Sequence, residues 1–173
     1  MRLQPRSLRS TTRRCRWLAL VAALALVLSV LLLPPVGPTP ALASSIIVST
    51  TADESADPGP GTGCSLREAI EAANRHVAFG GCTAGSGSDT IVLQAGQTYA
   101  LSTRDNTQFG FNGTPIVRST ITIEGNGATI TRANGAPSFR LFHVAKAGDT
   151  FAGGTVAISG SLTLHNVTLS NGA

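Results

Sequence analysis

The chain has 173 residues, enough for one modest domain, and carries 13 Lys and Arg against 9 Asp and Glu for a formal net charge of +4. Six of those basic residues, Arg2, Arg6, Arg9, Arg13, Arg14 and Arg16, crowd the N-terminus, so the chain from Ser44 onward holds seven bases against nine acids, a net of −2. The overall positive charge therefore supports no argument for nucleic-acid binding, and no nucleic-acid partner is expected.

The Arg-rich start is followed by an apolar run from Trp17 to Leu33, broken only by Ser29, then by the proline-rich stretch 34–40 and by Ala41-Leu42-Ala43. A positive segment, an apolar segment and small residues two apart describe a secretory signal peptide cleaved after Ala43. The alternative is an uncleaved anchor, for which the apolar run is short of a usual membrane span of about 20 residues. Residues 1–43 are read as the leader, with Ala41 and Ala43 in the peptidase site. The mature protein is then secreted or on the cell surface, and it meets a membrane only through its leader during export. Arg13-Arg14 does not make a twin-arginine signal, because Cys15-Arg16-Trp17 follows instead of an apolar pair. Cys64 and Cys82 are the two cysteines left in the mature part. In an exported chain an even pair favours a disulfide over a metal site.

Residues 44–88 read as an N-terminal cap. Ser45 to Thr51 is β-branched and predicts a strand, and Asp53 to Gly63 predicts a loop. Ser65-Leu66-Arg67-Glu68 fits a capping box, with Ser65 as N-cap and Glu68 reaching back. Leu66, Ala69, Ile70 and Ala73 recur at helical spacing and predict the core face of a helix ending near Asn74. Arg67, Glu68, Glu71 and Arg75 are expected on its solvent side. The Arg67-Glu68 pair is accordingly read as outer face plus capping box and not as catalytic.

Residues 89–173 show short strand-like triplets separated by Gly and Asn: Ile91-Val92-Leu93, Ile121-Thr122-Ile123, Leu141-Phe142-His143, Val156-Ala157-Ile158 and Leu162-Thr163-Leu164. Leading triplets at 91, 121, 141 and 162 suggest a period of about 20 residues with an inserted loop from Ser102 to Pro115. That favours an all-β solenoid, a right-handed parallel β-helix with the short helix as its lid, over a β-sandwich. The chain ends directly after a strand, and so reads as the first coils of a longer protein.

The run Cys64-Ser65-Leu66-Arg67-Glu68-Ala69-Ile70, with Ala72-Ala73-Asn74 behind it, resembles the signature of the CSLREA-type domain of exported bacterial proteins. Ile47 to Asp53 upstream, Cys82, and Asp89-Thr90-Ile91-Val92-Leu93 downstream extend the resemblance over about residues 46–93. It implies export or surface display, and a following parallel β-helix of the pectate-lyase-like kind. It implies no common chemistry.

No catalytic constellation stands out. Asp89, Asp105, Glu124 and Asp149 are scattered singly, where polysaccharide-cleaving enzymes need paired acids. His143 and His165 lie 22 residues apart, about one coil, and could stack, but two solvent-facing or core imidazoles are the commoner outcome. Asn112-Gly113-Thr114 and Asn166-Val167-Thr168 match glycosylation sequons but read as turn and ladder residues. No cofactor or metal is implied. The expected function is a non-catalytic, adhesin-like or carbohydrate-binding scaffold with a polysaccharide or cell-surface glycan as partner. The alternative is the N-terminal part of a polysaccharide lyase or glycoside hydrolase whose active site lies beyond Ala173.

Overall fold

The computed structural model describes residues 43–54, 61–151, 154–155 and 159–173. Nearly all of the leader, and the strand expected at Val156-Ala157-Ile158, lie outside the described residues. The elements in chain order are β1 (Ser45–Ile47), α1 (Leu66–Arg75), β2 (Ser88–Val92), β3 (Thr98–Leu101), β4 (Thr120–Arg132), β5 (Thr150–Phe151), β6 (Gly154–Thr155) and β7 (Ser161–Ser170). Strands β1, β2, β4 and β3 follow one another across a parallel sheet, and β7 pairs with β4 as the fifth member. β5 and β6 form a separate antiparallel pair.

The core grows from stacking like on like. Ile46 lies beside Ile91, Ile91 beside Ile123, and Ile123 beside Leu164. The β-branched side chains alternate across each strand, so one face becomes an apolar column and the other carries Thr. Ile46, Ile91, Ile121, Ile123 and Ile130 are fully buried. β4 is long enough to serve two neighbours, β2 along its first half and β3 along its second. Between them, Asn126 takes a left-handed φ of 50° and Gly127 one of 78°, and the pairing with β7 shifts there. That is the backbone region Asn and Gly tolerate best.

The solenoid expectation is overturned. The sheet is open, and the described residues show parallel strands with one docked helix rather than closed coils. The 20-residue period fails for a definite reason. Leu141 does not join the sheet, because its segment forms no ladder and pairs through isolated bridges from Asn112 to Arg140 and from Val117 to Val144. The residues that do stack, at 46, 91, 123 and 164, stand 45, 32 and 41 apart. Triplets bounded by Gly and Asn mark short strands, and strands of this kind serve an open parallel sheet as well as a coil.

α1 corrects a second expectation. Leu66, Ala69, Ile70 and Ala73 are buried, but so are Arg67, Glu68 and Glu71, so the helix has no solvent face over its first two turns. Only Arg75 of the four charged residues is exposed. The helix ends at Arg75, with His76 in the left-handed region at φ 55°. Asn74 lies inside it and works elsewhere.

Candidate functional site

The start of α1 is held by two devices. Cys64 and Cys82 form a disulfide across 18 residues of sequence. Glu68 N donates to Ser65 Oγ at 3.3 Å while Ser65 N donates to Glu68 Oε2 at 2.9 Å, so the capping box is complete. The Glu68 carboxylate fills the space above Gly80, where φ is 56° and a Cβ would collide with it. Gly80 thus lets the 79–82 turn, closed by Phe79 and Cys82 through their backbones, approach the helix and place Cys82 for its bond.

Arg67 is the centre of a charged cluster with Asp53 and Asp105. It is 1 % exposed. Its Nε stands 2.6 Å from Asp53 Oδ1, and its Nη2 donates to Asp53 Oδ2 at 3.1 Å, to the Thr103 carbonyl at 2.8 Å and to Thr103 Oγ1 at 3.3 Å. Nη1 lies 3.7 Å from Asp105. Asp53 also accepts from the Ser102 N–H and hydroxyl, both at 2.7 Å. One guanidinium therefore ties the loop after β1 to the loop after β3. Nη2 bonds to both loops, while Nε and Nη1 meet Asp53 and Asp105 as ion pairs. Burial pushes the Asp105 carboxyl above its usual range, opposed by the Asn106 amide and by the Arg67 charge. Beside the cluster is a small cavity of about 10 Å³ lined by Asp53, Arg67 and Tyr99 among others.

The neighbouring side of the helix carries a second cluster. Glu71 accepts from Arg75 Nε at 2.6 Å and from Arg118 Nη2 at 3.2 Å. Asn74 donates to the Ile116 carbonyl at 2.8 Å and accepts from the Arg118 N–H at 2.7 Å. Between the clusters opens a groove of about 160 Å³ lined by Glu71, Asp105, Asn106, Gln108, Pro115, Ile116 and Arg118.

Of the acids scattered singly in the sequence, the fold brings one, Asp105, onto Arg67 together with Asp53. The signal lay in Arg67 itself, a cation between Leu66 and the apolar stripe, with Asp53 in the same upstream pattern. The histidines do not meet. His143 stacks on Phe109 with ring centres 5.2 Å apart, and its pKa is lowered by burial and by the Arg140 charge. His165 faces Glu124 on the neighbouring strand at 3.7 Å. Asn112 is fully buried, with its amide donating to Asn106 Oδ1 and to the Gln108 and Gly110 carbonyls, so it holds the inserted loop and offers no glycan acceptor. Among the described residues no three His, Cys, Asp or Glu are grouped to hold a metal. Comparison with known proteins finds no matching family model, no matching curated protein and no matching solved structure.

Proposed function

We propose that this is an exported, non-catalytic surface or secreted module, adhesin-like or carbohydrate-binding, whose CSLREA-type segment serves folding and not chemistry. The observation that carries the reading is how the polar side chains of that segment are used. Ser65 and Glu68 cap the helix, Arg67 joins two loops, and Cys64 is bonded to Cys82. A general base needs a carboxylate with access to substrate, and Asp53 instead accepts from Ser102 and Arg67. Glycan hydroxyls suit the mixture of carboxylate, amide and guanidinium along the groove at Glu71, Asp105, Asn106, Gln108 and Arg118. Export rests on the Arg-rich, apolar, Ala-x-Ala order of residues 1–43.

The test takes the protein from the medium or envelope of its producing cell. Its first residue should be Ser44. On an array of plant and bacterial polysaccharides it should be retained by some glycans and should release neither reducing ends nor unsaturated products from any. Cleavage products formed by this chain alone would sink the non-catalytic reading. An intact Met1 would sink export by a cleaved leader.

A further inference from the structure

β7 lies at the edge of the sheet, and among the described residues β4 is its one sheet partner. Its apolar residues continue the buried columns: Leu162 sits beside Ile121, Leu164 beside Ile123, Val167 beside Ala128 and Leu169 beside Ile130. All four β4 partners are fully buried, whereas Leu162, Leu164 and Val167 are half-buried and Leu169 is 43 % exposed. Natural edges are usually guarded by Lys, Pro or an inward charge. Ser161–Ser170 contains no Lys, Arg, Asp, Glu or Pro.

The sequence of this edge identifies what fits it. Read inward from its two ends, β7 pairs Ser161 with Ser170, Leu162 with Leu169, Thr163 with Thr168, Leu164 with Val167, and His165 with Asn166. The strand is nearly a palindrome. The pattern of facing obeys the same mirror: the four apolar residues line the column side, while Thr163 and Thr168 are exposed. The reversal falls at Asn166, whose φ of 47° turns the strand and puts His165 and Asn166 both outward. A two-fold interface requires a surface complementary to itself, so that residue i meets j and j meets i. A palindromic edge strand meets that requirement in antiparallel pairing.

We propose that two copies of this chain associate through β7, antiparallel, about a two-fold axis passing between His165 and Asn166. The pairing sets Leu162 against Leu169 of the second copy and Leu164 against Val167, which covers the exposed tops of both columns. It also satisfies the unpaired backbone groups of both edges at once, and it closes, giving a dimer and not a fibre.

The test uses the full exported chain. Sedimentation equilibrium should give twice the chain mass, and Leu169→Lys, at the most exposed position of the stripe, should return it to the single mass. The register is read independently with T163C and T168C, both on the exposed face. In antiparallel pairing opposite Cα atoms lie about 4.5–5.5 Å apart, within reach of a disulfide. Residue 163 and its own copy are five residues out of line, about 17 Å. An equimolar mixture of the two variants should therefore yield a cross-linked dimer on oxidation, and either variant alone should not. A single mass at every concentration overturns the proposal. So does cross-linking of T163C to itself, and so does growth into species larger than a dimer.

Discussion

The two ends of the apolar columns are finished differently. At the β1 end, a three-residue edge strand is backed by a helix, a disulfide and a buried arginine, and Ile46 and Val48 are fully buried although they lie at the edge of the sheet. At the β7 end, ten residues of edge stand open and the same columns reach the surface. The difference shows that burial in a parallel sheet comes from what covers the strand and not from the strand's own sequence. Ile46 and Leu164 belong to one column and differ in cover. Ser65, Arg67 and Glu68 make the cover possible by satisfying the donors and charges that the buried helix brings with it.

The sharpest way to break the covered end is through its charges. Ile70→Asp puts an unpaired carboxylate against the core, and Arg67→Ala leaves the partly buried Asp53 and Asp105 without their cation. Removing one partner of a buried ion pair costs about 3–5 kcal/mol, so both variants should lower the denaturation midpoint by comparable, large amounts at neutral pH. A small effect for Arg67→Ala would mean that water replaces the guanidinium readily and that the cluster is not what fixes the loops. Opening the disulfide comes next. With the cysteines 18 positions apart in sequence, loop closure predicts a loss of about 3 kcal/mol in the Cys64→Ser, Cys82→Ser double variant. Non-reducing peptide mapping of the native protein should show one linked pair and no alkylatable thiol at either position.

The covered end was the more readable of the two. The apolar stripe, the capping box and the cysteine pair are local patterns: Leu66, Ala69, Ile70 and Ala73 are buried, and Ser65 and Glu68 close the box, although Glu68 is buried and not on a solvent face. The burial of Arg67, Glu68 and Glu71 is not legible locally, because helical periodicity says which face is apolar, while only tertiary contacts say whether the other face is covered. Asp53, Thr103 and Asp105 reach Arg67 from loops distant in sequence, and no window of sequence contains that meeting. The strands at Ser45, Ile91, Ile121 and Leu162 were legible from β-branched alternation. Their connection was not. Triplet spacing imitates a period, and the Leu141 segment interrupts it.

A matched pair of truncations measures the contrast directly. Ile123 and Leu164 are neighbours in one column, the first fully buried and the second half-buried. Ile123→Ala should cost about 2–5 kcal/mol, the usual range for emptying a packed site. Leu164→Ala should cost about 1 kcal/mol in the separated chain, because part of its surface is already in water. Equal losses in dilute protein would show that β7 is covered from within the chain.

The smallest effect concerns Asp105 and pH. Burial raises its folded-state pKa above the usual Asp value of 3.8, outweighing the Asn106 hydrogen bond and the attraction of Arg67, while Glu71 and Asp53 push it in the same direction as burial. The folded chain therefore holds this proton more tightly than the unfolded chain does. Asp105 contributes its full stability below about 3.8, where it is protonated in both states, and that contribution falls as pH rises through the raised folded value. Asp105→Asn keeps the shape and removes the titration. The stability of the natural chain relative to the variant should thus decline as pH climbs from 3.8 through the raised value and then level off. Chemical denaturation of both proteins across that interval gives the difference curve. A curve that rose instead would mean that the Arg67 charge, 3.7 Å away, governs this carboxyl more than its burial does, and Asp105 would then belong to the ion-pair core as fully as Asp53.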